Sequence, residues 1–132
     1  MDYYLVENNV FARLVSEYEE HKSLVVAYDF DNTVFDYHSK GHDYSMVIKL
    51  LRDLKEVGCY LIVFTANKDV EFVEEYCLKQ KIPFDAINDN PPFFKSNSRK
   101  IYYNILLDDR AGLLQSYKLL NRLLDHLSSD IK

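Results

Sequence analysis

The 132-residue sequence has no tryptophan, only two cysteines, and three each of glycine and proline. Cys59 and Cys77 lie in apolar contexts without metal-ligand spacing. That argues against a disulfide framework or a cysteine-built metal site, and for buried, reduced thiols of a cytosolic, that is cytoplasmic, protein. So little Gly and Pro, with no Ser-rich tract, repeat or low-complexity segment, leaves no linker, and a single domain over residues 1–132 is expected. No run approaches the ~20 apolar residues of a membrane helix. No basic stretch leading into an apolar one follows Met1, so neither a membrane nor a secretory route is expected. Positive charge is not in excess either: 16 Lys and Arg against 21 Asp and Glu give −5. The bases are scattered, which argues against strong duplex nucleic-acid binding.

What the sequence does contain is alternation. Val6, Val10, Leu14 and Tyr18 recur at helical spacing, predicting a first helix that ends near Glu20. Leu24 to Phe30 reads as a buried strand. A second helix, with Val47, Leu50, Leu51, Leu54 and Val57 on one face, is expected to be capped by Asp43 or Ser45 and stopped by Gly58. Strands are expected over Cys59–Phe64, in "FDAIN" after Pro83, and over Ile101–Leu107. Asn67 and Asp69 open a third helix that runs to about Gln80. A last helix carries Leu113, Tyr117, Leu120, Leu124 and Leu127, a stripe that suits core packing better than a coiled-coil seam. Strands alternating with helices imply an α/β fold, a Rossmann-like three-layer sandwich with a mainly parallel sheet. In such sheets ligands bind beyond the carboxyl ends of the strands.

Polar clusters sit at those ends. The run "VVAYDFDNTVFD" places Asp29 and Asp31 just past the first strand, where unpaired carboxylates are costly to bury. Thr65 follows the second strand, Lys95 and Lys100 precede the fourth, and Asp108-Asp109 follow it. In this order the set resembles the haloacid dehalogenase-like hydrolases, in their phosphatase branch, over roughly residues 24–111. Each short motif alone recurs by chance, and the ordered set carries the resemblance.

The resemblance implies a Mg²⁺-dependent phosphatase with an aspartyl-phosphate intermediate. Asp29 would be the nucleophile and Asp31 the general acid and then base. Mg²⁺ would be held by Asp29, by the backbone carbonyl of Asp31, and by Asp108, with Asp109 either binding it directly or orienting its waters. Thr65, with the backbone N–H groups of Ala66 and Asn67, would bind phosphate oxygens at a helix start. The catalytic lysine would be Lys100, close to the strand, ahead of Lys95. Asn32 stands where the family usually has Gly, and Asn tolerates the left-handed backbone that position needs. Thr33 would shape the loop by local hydrogen bonds.

The intervals between motifs leave no residues for a cap domain. An open, capless site resembles family members that act on large substrates or that close their sites by oligomerising, so a homo-oligomer is one expected assembly. The substrate expected first is a nucleotide or nucleic-acid end phosphate, with Arg110 after the acidic pair as a weak pointer. The alternatives are a small-metabolite or sugar phosphate, or a non-catalytic domain that only binds phosphorylated ligands. Tyr37, His38, Lys40 and His42 lie in one loop expected at the mouth, and Phe93, Phe94, Lys95 and Arg99 in another.

Overall fold

Val25–Asp29 forms β1, with four residues buried and the terminal aspartate half-buried, so an apolar run is pulled into the core as far as its first carboxylate. The computed structural model describes residues 1–130. β1 is followed by α2 (Ser45–Glu56), β2 (Tyr60–Phe64), α3 (Val70–Gln80), β3 (Ala86–Ile87), β4 (Ile105–Leu107) and α4 (Leu113–Asp130), and preceded by α1 (Glu7–His21). The strands form one sheet in the order β3-β2-β1-β4, and every pairing is parallel. This is the expected α/β, Rossmann-like sandwich. Between strands lie one helix or one irregular segment, with no inserted domain among the described residues. No helix of the described residues is long and apolar enough to cross a membrane.

The two faces of the sheet are covered differently. Val26 and Tyr28 of β1 and Leu61 and Val63 of β2 face a cluster to which all four helices contribute, including Leu14, Leu51, Val73 and Leu120. The alternate residues Val25, Ala27 and Ile62 face the other way, where Ile101, Tyr102 and Tyr103 cover them. Residues 88–104 therefore form that layer without a helix. The stripe of α4 is spent on the core: Leu119, Leu120 and Leu123 are buried, and Leu113, Tyr117, Leu124 and Leu127 pack against the same cluster. Burial pushes both thiols, Cys59 and Cys77, up to about 11, which leaves them unreactive.

At the element starts, local chemistry departs from the expectation in two places, α2 and the fourth strand, and meets it at α3. α2 starts after Tyr44, which offers no side-chain cap, while Asp43 accepts hydrogen bonds from the Ser45 N–H and hydroxyl in a turn just outside the helix. α3 is capped by Asp69, whose carboxylate accepts from the Phe72 N–H at 3.1 Å. The fourth strand begins at Ile105 instead of Ile101. Asn104 ends the irregular segment by imitating a strand: its N–H donates to the Val25 carbonyl at 2.8 Å, and its Oδ1 accepts the Val25 N–H at 2.6 Å.

The Asn104 amide nitrogen also donates to Glu17 Oε1 and to the Tyr102 hydroxyl, each at 3.0 Å, and its carbonyl accepts from Arg13 Nη2 at 3.2 Å. Every polar group of this residue is used. Replacing it with alanine orphans the buried Val25 N–H, so Asn104→Ala should lower the unfolding free energy by about 1–3 kcal/mol in urea denaturation. Val25 opens β1 and Asp29 closes it, about 13 Å apart at strand rise, so the substitution should leave ligand binding near Asp29 intact.

Candidate functional site

Asp29 is aimed by strand periodicity. It alternates with Val25 and Ala27, and so faces the layer built from residues 101–103. The register pairs Tyr28 with Leu107, so the next residues, Asp29 at the end of β1 and Asp108 just past β4, stand side by side. On the other flank Asp29 pairs with Phe64, which brings Thr65 alongside. β1 has β2 on one side and β4 on the other, and the chain changes direction between them. That is the switch point at which parallel α/β sheets hold ligands.

Three carboxylates meet there: Asp29, Asp108 and Asp109 each place an oxygen within 4.8 Å of the others. Burial, a hydrogen bond with Asp109 and the charges of Asp108 and Asp109 together push Asp29 up to about 7, against a small opposing effect from Thr33. Thr33, the one fully buried polar residue among those described, ties this trio together. Its hydroxyl donates to Asp29 Oδ2 at 3.3 Å and accepts from the Asp109 N–H at 3.2 Å, reaching across 76 residues where a local role was expected.

The loop after β1 is a tight knot. The N–H groups of Thr33, Val34 and Phe35 all point to the Phe30 carbonyl, and Asn32 takes the left-handed φ of 61° that its residue type allows. Phe30 stacks on Phe35 at 5.0 Å, and Phe35 meets Phe72 and Tyr76 of α3 edge-on, so aromatic packing fixes the loop. Asp31 lies in this knot with its Oδ1 buried and without a hydrogen-bond partner. Burial and the charge of Asp109 raise its pKa, while His38 pulls it down.

Across from Asp29 the chain forms a cavity of about 470 Å³ whose wall includes Thr65, Ala66, Asn88, Arg99 and Lys100. Lys100 therefore shares a cavity with Asp29, and Lys95 does not line it. Thr65 is five residues ahead of α3, so its hydroxyl is not a cap of that helix. It accepts the Asn67 N–H at 3.0 Å, and the Asn67 side chain accepts from the Asp69 N–H, so Asn67 holds the loop. The Thr65 hydroxyl keeps its proton to donate. Asn88, which sequence reasoning missed, locks Thr65 from the end of β3: its Oδ1 accepts the Thr65 N–H at 2.9 Å and its Nδ2 donates to the Thr65 carbonyl at 2.8 Å. An Asn directly after a short apolar strand was the available signal, a residue type that tolerates the left-handed φ of 51° it adopts here.

Of the mouth residues, Tyr37 and His38 are exposed and in edge contact at 5.0 Å, and Lys40 and His42 are exposed beside them. Phe94 stacks on Tyr102 at 4.5 Å, whereas Phe93 is 71 % exposed. Phe93 and Phe94 border another cavity, of about 490 Å³, near the start of β1, which has no acidic residue in its wall. The carboxylate trio and the cavity lined by Thr65 and Lys100 are at the other end of the strand.

The oxygen-only trio, a charge in need of neutralisation and the orphaned Asp31 oxygen fit a hard divalent cation such as Mg²⁺. Without one, Asp29 binds a proton more tightly folded than unfolded. Its contribution to stability is thus complete near pH 4 and lost as pH rises to about 7. Allowing for solvent screening of a half-buried group, the loss is roughly 1–2 kcal/mol. In chelator, urea midpoints should fall across that interval, and Asp29→Asn should flatten the slope; an unchanged slope in the variant would assign it elsewhere.

No family model and no curated protein matches the chain. Among solved structures, a conserved protein from Bacteroides thetaiotaomicron aligns with a TM-score of 0.63 at 22% identity, covering 79% of this chain and 91% of that one. The likeness extends the fold to that protein.

Proposed function

We propose that this protein is a Mg²⁺-dependent phosphomonoester hydrolase, a capless member of the haloacid dehalogenase-like superfamily that works through an aspartyl-phosphate. The observation that carries this reading is the meeting of Asp29, Thr65 and Lys100 around one cavity, with Asp108 and Asp109 against Asp29.

The Asp29 carboxylate attacks phosphorus and forms a phosphorus–oxygen bond, while the bond to the ester oxygen breaks. Asp31 gives its proton to that departing oxygen, a role favoured by its raised pKa. Asp31, now a base, takes a proton from water as the water attacks the acyl phosphate; the bond to Asp29 breaks and inorganic phosphate leaves. Lys100 balances charge on the phosphoryl oxygens, and the Thr65 hydroxyl and Ala66 N–H donate to them. When bound by Asp29, Asp108, Asp109 and the Asp31 carbonyl, Mg²⁺ supplies neutralisation of the repulsion between phosphate and carboxylates. The preferred substrate class is a nucleotide or nucleic-acid end phosphate.

The deciding assay is phosphate release, with and without Mg²⁺, from nucleotides, end-phosphorylated oligonucleotides and sugar phosphates. Asp29→Asn should abolish turnover. Asp31→Asn should cost about 10²–10⁴-fold on alkyl esters and much less on p-nitrophenyl phosphate, whose leaving group needs no proton. Activity that survives Asp29→Asn would sink the reading.

The two lysines separate in the same assay. Lys100→Ala should lower kcat by roughly 10²-fold, the scale of losing one charged stabiliser of the transition state. Lys95→Ala should stay within about twofold, as surface substitutions do.

A further inference from the structure

Arg99 and Lys100 are neighbours in sequence and yet line the same cavity. In an extended strand consecutive side chains point to opposite faces. Here two serine turns bend the segment: Ser96 Oγ accepts the Ser98 N–H, and Ser98 Oγ accepts the Lys100 N–H, each at 3.1 Å. The bend delivers two cations to one wall.

Neither side chain makes a hydrogen bond or ion pair within the described residues. The cavity wall holds a single acid, Asp29, against these two bases. On the reading above, Lys100 serves the phosphoryl group seated on Asp29. That leaves the Arg99 guanidinium without an anion, in a chain whose net charge is −5. At about 470 Å³ the cavity is of the size that takes a whole small ligand, well beyond a lone phosphate. Phe64 and Tyr103, edge-on at 5.6 Å, supply the apolar part of the wall against which the body of such a ligand can rest.

We infer that Arg99 is a specificity-determining residue that binds a second phosphate of the substrate, so that the site selects phosphomonoesters carrying another phosphate group on the same molecule. A guanidinium suits the task, since its planar fork matches two phosphate oxygens at once. The second phosphate can be another monoester, as in a nucleoside bisphosphate, or the first diester of an oligonucleotide whose end phosphate sits on Asp29. The inference rests on the phosphatase reading for which phosphate is which, and its test is a binding measurement that needs no turnover.

Calorimetry on the Asp29→Asn protein in Mg²⁺ compares adenosine 5′-monophosphate, adenosine 3′,5′-bisphosphate and a 5′-phosphorylated dinucleotide. Either or both of the two-phosphate probes should bind about tenfold or more tightly than the monophosphate, as a charge-assisted pair provides. Whichever of them binds tighter names the source of the second phosphate. Adding Arg99→Gln should bring the ratio of dissociation constants toward one, and Arg99→Lys should restore part of it. Equal affinities, a ratio indifferent to Arg99, or no binding of any probe overturns the inference. Should Arg99→Gln fail to fold by circular dichroism, Arg99→Lys alone decides, through a reduced ratio or an unchanged one. Wild-type turnover of monoesters together with equal affinities would remove the second-phosphate site and leave the hydrolase standing. Arg99-dependent discrimination without turnover would do the reverse.

Discussion

Mutual repulsion of Asp29, Asp108 and Asp109 is the constraint on which the rest of the structure depends. At an effective dielectric near 20, two unit charges 4 Å apart repel by about 4 kcal/mol, several times the net worth of one hydrogen bond. Loops alone would let such a trio spread. It holds because Asp29 ends β1 and Asp108 directly follows β4, adjacent parallel strands whose register is fixed by the fully buried pair Tyr28 and Leu107. Thr33 adds the one direct tie between the carboxylate of Asp29 and the backbone of Asp109. Burial, together with the remaining repulsion, pushes the Asp29 carboxyl up to about 7. A fold that keeps acids this close stores an affinity for whatever positive charge relieves them.

The acidic half of the site was legible in the sequence because each of its members ends an apolar run. Burial selects where a strand stops, and the first residues too polar to bury stop it; "VVAYD" and "ILLDD" therefore announce both the strands and the site. The helices were equally plain, since their stripes are long enough to show the period of the turn. Caps were legible in part: Asp69 caps α3 as its residue type suggests, whereas Asp43 and Ser45 flank Tyr44, which holds the capping position of α2 without a side-chain cap.

The less legible half lies in residues 88–104, which have no period to read. Asn104 looks like a strand breaker and acts as a strand's first rung, because its side chain meets a backbone 79 residues away. Asn88 looks like a turn and serves as the clasp of Thr65. Nearness to the strand favours Lys100 over Lys95, and Lys100 does line the cavity; the two serine turns that bend the chain there are what spacing along the sequence does not show. Such contacts are set by tertiary placement, which one-dimensional patterns do not encode.

The division of the sheet into a helix-covered face and a loop-covered face has a consequence for how the protein can change over evolution. The carboxylates stand at the ends of strands that the helical core braces, so altering those strands disturbs packing throughout. The cations and Tyr103 of the aromatic wall belong to a segment that is held chiefly by the Tyr102 N–H on Asn90 Oδ1 at 2.8 Å, the Phe94–Tyr102 stack and the Asn104 anchor. Residues between those tethers can be exchanged or lengthened while the core stays as it is. A lineage can in this way retain one chemistry and redraw the list of molecules that undergo it, by rewriting a stretch of irregular chain.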